Sequence, residues 1–303
     1  MLNHLAAIVL APILFLPPQQ PDPSPEPAHQ RNPVYEVALR DGLKAGGTAV
    51  ALPAPTFHDG LDDEGRRAAL LSVCGSEQAV NDLLRDSVTA PYILKLHDAK
   101  TADSIIRSVD LWFVVRADLN TLDPLKLITQ TDAKAVEVGN MRFEQRLLTA
   151  DDLKPRNRVA QLEGDAPHWF VHLKGRLLDR IAFEAVDEVM ATRTDDSMVI
   201  AARVDPAFNT PGEPTNHWKN LAENGPANPF QGGVSYVKVS RLKLKSKEAA
   251  DALFVEMHAA FAEPEAWFRG APILRSKFAP VAQDQVRRLR RELLKNRPKS
   301  SLP

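Results

Sequence analysis

Seven segments between Tyr92 and Leu242 are rich in β-branched and aromatic residues and bounded by turn residues, which constrains the fold more than any other feature of the chain. They are Tyr92–His97, Val109–Arg116, Val136–Leu147, Trp169–Lys174, Leu178–Arg193, Met198–Val204 and Val234–Leu242. Most lie close enough together for sequence neighbours to pair antiparallel. Thr194-Asp195-Asp196-Ser197, between two of them, has the composition of a hairpin connection.

Val34–Arg40 (VYEVALR) sets Tyr35, Val37 and Leu39 against Glu36 and Ala38, which predicts a half-buried strand. A Gly- and Pro-rich loop to Gly60 precedes two short helices, Asp62–Val73 and Ser76–Asp86. Ser76 is placed to cap the second, and Ala79, Val80, Leu83 and Leu84 form its apolar stripe. After the strands, Ser246–Ala262 carries Ala250, Leu253, Phe254, Met257 and Phe261 at helical spacing until Glu263-Pro264, and predicts a helix. A second helix, from about Val281 to Asn296, offers Val286, Leu289 and Leu293. The expected fold class is α+β: an antiparallel β-meander curved around a C-terminal helix, with two short helices after the first strand.

This order of strand, two helices, meander and terminal helix resembles the helix-grip architecture of START and Bet v 1-like ligand-binding proteins. The resemblance spans roughly residues 34 to 296 and implies an apolar cavity between sheet and helix. It carries no binding residues with it, because no family motif is matched.

The N-terminus sets the expected location. Leu5–Leu16 (LAAIVLAPILFL) is twelve residues without a polar side chain, the length of a signal-peptide core and short for a bilayer span. Met1–His4 has no Lys or Arg, and no A-x-A pattern follows, so a cleaved leader and an uncleaved anchor both stay open. The expected organisation is 1–18 as signal peptide or short anchor, 19–33 as a proline-rich disordered spacer, and 34–303 as one α+β domain. Export to a periplasm, envelope or exterior follows as the expectation. Cys74 is the only cysteine, which excludes an internal disulfide and a thiolate zinc cluster. A net charge of −1 gives no general attraction to polyanions, and no nucleic-acid partner is expected.

The chemistry is sparse. G-x-S-x-G, Walker A, G-x-G-x-x-G, H-E-x-x-H and EF-hand patterns are all absent, and the residues call for no cofactor and no metal. His168 and His172 would share a strand face about 13 Å apart, too far for one ion. Asp62-Asp63, Asp151-Asp152 and Asp195-Asp196 fall at helix starts or turns, where capping explains them. Cys74, ahead of Gly75 at a helix end, reads as an inert thiol. The ligand-binding candidates are His217 and Trp218 in the long Pro- and Gly-rich connection 205–233, and His258, Phe254 and Met257 on the expected 246–262 helix. Arg287, Arg288, Arg290 and Arg291 could form an anion patch on an envelope surface. The leading expectation is an exported protein that binds an apolar or amphipathic, lipid-like molecule. A motif-free envelope hydrolase using His258 or His217, and an interaction protein using the basic helix, remain open beside it. Oligomeric state is not legible.

Overall fold

The computed structural model describes residues 26–129, 136–138, 140–222, 226–244 and 251–295. The Leu5–Leu16 leader, the first part of the proline-rich stretch, and Ser246 and Ala250 of the expected helix lie outside these residues.

The first regular element is a helix, α1 (Pro33–Arg40), where the alternation of Tyr35, Val37 and Leu39 had predicted a strand. Asn32 caps it by accepting from the Tyr35 amide, and Pro33 occupies the first turn, where its missing N–H is no loss. Val34, Tyr35, Ala38 and Leu39 are all buried, a helical spacing rather than a strand spacing. A small hairpin follows, β1 (Leu43–Ala45) and β2 (Thr48–Val50), turned by Gly46 and Gly47, both at positive φ as a two-residue turn of this kind requires. Helices α2 (Asp63–Cys74) and α3 (Glu77–Leu83) then appear as read, with Asp62 and Ser76 as their caps.

The remaining elements build one large antiparallel sheet. In chain order they are β3 (Ile93–Lys100), β4 (Ser104–Arg116), α4 (Pro124–Thr129), β5 (Val136–Val138), β6 (Met141–Leu147), α5 (Ala150–Leu153), β7 (His168–Leu177), β8 (Ile181–Arg193), β9 (Ser197–Val204), β10 (His217–Asn220), β11 (Asn228–Pro229), β12 (Gly233–Arg241), β13 (Ala252–Pro264), α6 (Glu265–Phe268) and α7 (Arg275–Lys295). Hydrogen-bonded neighbours run β3-β4-β13-β12-β9-β8-β7-β6-β5, and the short β10–β11 pair attaches to β8.

The main correction is β13. The segment expected as a helix is a 13-residue strand inserted between β4 and β12. A central strand covered on both sides reads as a near-continuous apolar run, and short of its neighbours such a run cannot be told from a buried helix. The change redistributes the candidate residues. On a helix Phe254, Met257 and His258 would cluster; on β13 Phe254 and His258 face one side and Met257 the other.

The sheet therefore has two occupied faces. On one, α7 lays Ala282 and Val286 into a core with Leu111, Phe113, Val189, Ile200, Leu253 and Val255, joined by Met257, Leu289 and Leu293. Sheet twist accumulated over so many strands rolls this face around the helix, the helix-grip-like arrangement of an α+β fold. The helix is fixed near both ends. Arg275 donates to Asp98 at 2.6 Å, and the buried Arg290 donates to the carbonyls of Val114 (2.9 Å) and Pro91 (3.1 Å).

On the other face, residues 26–60 and α1 to α3 cover the sheet. The spacer was expected to be free of the domain through residue 33, yet from Glu26 onward it is docked. Glu26 pairs with the buried Lys238, His29 bonds to Thr192 (2.9 Å) and Ser197 (2.8 Å), and Asn32 donates to the Met190 carbonyl (3.0 Å). Its polar groups find partners on the sheet, which proline content alone does not reveal. Among the described residues no helix is long and apolar enough to cross a membrane.

Candidate functional site

On the α7 face the strands do not fill the space to the helix everywhere. Ala259 of β13, Ser235 of β12 and Ala202 of β9 lie directly opposite one another, and Gly233 stands opposite Phe261. Where the next band carries Met257, Val237 and Ile200 the core is solid, but this band of small residues leaves a hollow. The hollow is a cavity of about 310 Å³, within the range that holds a small ligand.

Its walls come from distant parts of the chain. Phe183 of β8 and Phe143 of β6 stand on one side, Phe230 of the long connection and Trp267 of α6 on another, and Leu274, just before α7, with Phe278 and Val281 of α7 close it. Trp267 lies nearly parallel to Phe230 at 6.0 Å, with their ring planes 11° apart, and stacks on Phe183 at 6.0 Å. The Phe183 ring lies over Gly175, where a Cβ would come within 1.9 Å of it, so the absence of a side chain on β7 sets how far the ring can lean.

Among the described residues two charged side chains line the cavity, Asp187 and Lys277. Lys277 is on α7 and exposed, and it marks the rim. Asp187 is on β8, and the surface it retains opens into the cavity. Burial in this apolar surround pushes its carboxyl up to about 6. A carboxyl raised in the folded state destabilises the fold when ionised, so the penalty is absent below about pH 4 and fully felt above about pH 6. Asp187→Asn is therefore expected to gain on the order of 2 kcal/mol at pH 7, part of the cost remaining because the amide is also buried. Urea denaturation of both proteins checks this, and the difference should close as the pH falls to about 4.

The expected site residues are placed as follows. Trp218 on β10 is buried edge-on to Trp267 at 6.1 Å, and it supports the aromatic wall without lining the cavity. His217 points from β10 to the opposite face, in line with Glu184. Met257 packs under α7 in the solid part of the core. Phe254 stacks on Phe57 at 4.5 Å beneath the N-terminal layer. His258 is sealed under the same layer, its Nδ1 2.7 Å from Asp110 and its Nε2 3.6 Å from Glu256. Burial opposes its charge, but the hydrogen bonds and charges of Asp110 and Glu256 prevail and raise its pKa. Glu256 in turn accepts from the amides of Thr56 (2.7 Å) and Phe57 (3.2 Å), so this cluster secures the 52–60 segment to the sheet. Three residues that helical spacing would group on one face are thus divided by the strand between the two faces of the sheet.

The arginine patch is also divided. Arg290 is turned inward, with burial lowering its pKa to about 10, while Arg288 pairs with Glu292 and Arg291 is exposed. Arg287 is half-buried and Arg290 is spent on backbone carbonyls, which leaves no block of four. His168 and His172 share the face away from the cavity, each on its own carboxylate, Glu188 at 3.1 Å and Glu184 at 2.9 Å. No group of three or more potential metal ligands is found among the described residues. Cys74 is half-buried at the end of α2, and burial raises its pKa.

Together these features define an α+β protein with an apolar cavity between a rolled antiparallel sheet and its terminal helix. Among solved structures it is similar to the crystal structure of human STARD10, at 11% sequence identity and a TM-score of 0.34, over 75% of this chain and 79% of that chain. A likeness at that distance assigns neither residues nor function. No family model matches the chain, and no curated protein matches it either.

Proposed function

We propose that this protein binds an apolar or amphipathic, lipid-like small molecule in the cavity between the sheet and α7. The observation that carries the reading is the hollow itself: small residues at Ala259, Ser235, Ala202 and Gly233 face an aromatic wall where the neighbouring band is fully packed. Folded cores close such gaps with larger side chains unless something else occupies them, because unfilled volume costs stability. Organic extraction of the purified protein followed by mass spectrometry tests the reading. A stoichiometric apolar molecule is the expected result, and protein that remains empty after exposure to total lipid extract counts against it.

We further propose that the binding takes place outside the cytoplasm, on the strength of the apolar Leu5–Leu16 segment. Cell fractionation checks this, and recovery in the cytosol with the N-terminus intact would refute it.

A further inference from the structure

Asp187 departs from the pattern of its own strand. The positions of β8 that face the cavity side run Phe183, Ala185, Asp187, Val189 and Ala191, and only one is polar. Across the sheet its direct neighbours are Val204 on β9 and Val171 on β7. The acids on the opposite face of β8 are both paired: Glu184 with His172 and Lys174, and Glu188 with His168 and Arg203. The Asp187 carboxyl has no hydrogen bond or ion pair among the described residues, although it lines the same hollow as Phe183 and Ala185. A strand that needed only to pack would carry an aliphatic residue here, since a half-buried carboxyl without a partner among apolar side chains is costly. An acid kept in an apolar cavity against that cost is a recognition group.

Resting on the binding function proposed above, we infer that Asp187 receives the polar end of the ligand, and that this end is a protonated amine on an apolar body. The choice follows from charge. An ammonium donates hydrogen bonds to the carboxylate and cancels its charge, which the apolar side chains around it cannot do. A hydroxyl would donate one hydrogen bond and leave the charge uncompensated. A carboxylate or phosphate end would be repelled. The raised pKa of Asp187 expresses the same isolation. Lys277 is the other charged group lining the cavity among the described residues; it is exposed, whereas Asp187 is half-buried. The facing segments β7, β9, α6 and α7 contribute Leu173, Val204, Trp267 and Phe278 to the lining.

Three probes of equal chain length separate the possibilities: decylamine, decanol and decanoate, titrated calorimetrically into the full chain at about pH 7.5. Decylamine is expected to bind at least roughly tenfold more tightly than decanol, with decanoate weakest. Asp187→Asn should bring the three within about threefold of one another. In the unaltered protein, the amine's advantage should shrink as the pH falls below about 6, where Asp187 takes up a proton. Should Asp187→Asn fold poorly, the probe series and its pH dependence on the unaltered protein still decide. Decanoate binding as tightly as decylamine, or an amine preference that survives Asp187→Asn or acidification, overturns the role of Asp187 and leaves the cavity reading intact. Failure of all three chains to bind removes the cavity reading, and this inference with it.

Discussion

Replacing Lys238 with methionine is expected to cost the folded protein about 3–5 kcal/mol, read as a lowered urea midpoint, even though the substitution puts a more apolar side chain into a buried position. Lys238 lies on β12 with no exposed surface, and its ammonium meets Glu26 directly and Asp59 at 3.3 Å. Methionine fills the volume but leaves both carboxylates without their cation, Asp59 keeping the neutral hydroxyls of Thr194 and Ser197, and breaking a buried pair from one side is the expensive way to lose it. The loss also reaches the N-terminal segment, because Glu26 and Asp59 belong to the layer that covers the sheet. Burial pushes the Glu26 carboxyl up, but its hydrogen bond to His58 and the charge of Lys238 bring it down to about 2. A depressed carboxyl contributes stability above its unfolded value and loses it on acidification, here between about pH 4.5 and 2. His29 adds to the acid sensitivity. Burial, then the Lys238 charge, lowers it to about 4, so protonation on the way down from pH 6.5 opposes folding. Glu26→Gln in the Lys238→Met background should recover part of the loss; complete additivity of the two changes would show that the pair does not act as one.

Trp267→Ala is expected to cost a similar amount, about 3–5 kcal/mol, and to weaken binding of any apolar ligand as well. The indole is 1% exposed and touches three other aromatic rings, those of Phe183, Phe230 and Trp218. Removing it breaks one wall of the cavity and leaves Phe230, next to the short β11 strand, without its stacking partner. Thermal denaturation measures the first effect and probe titration the second. A stability loss below about 1 kcal/mol would mean that the wall is not a packed unit.

The sequence shows the sheet but not how it is assembled. Strands β3, β4 and β6 to β9 and β12 each overlap one of the runs of branched and aromatic residues, the side chains that fit a pleated surface, although β4 starts five residues before its run and β3 and β7 end three residues beyond theirs. β13 does not: Ala, Leu, Met and Glu are good helix formers, and a strand flanked by β4 and β12 is buried on both sides, so tertiary pairing overrides local preference. α1 misleads in the opposite sense, since Tyr35 and Leu39 satisfy a period of two and a period of four alike, and the Asn32-Pro33 cap was the deciding signal. The cavity was legible only as a resemblance in element order. Its lining joins Phe143, Phe183, Phe230, Trp267 and Phe278 from five separate segments, and no local pattern links them. Asp187 alone left a trace, as the one polar residue in the alternation from Phe183 to Ala191.

A titration with the neutral fluorophore prodan, run on the unaltered protein and on Ala259→Phe, tests the cavity most directly. Ala259 lies in the band of small residues that creates the space, and phenylalanine there occupies it without introducing charge. Saturable, blue-shifted binding near one probe per chain in the unaltered protein, weakened at least roughly tenfold in a stably folded Ala259→Phe, is the predicted result. Equal binding by both proteins, or none by either, would contradict the existence of a ligand site between the sheet and α7.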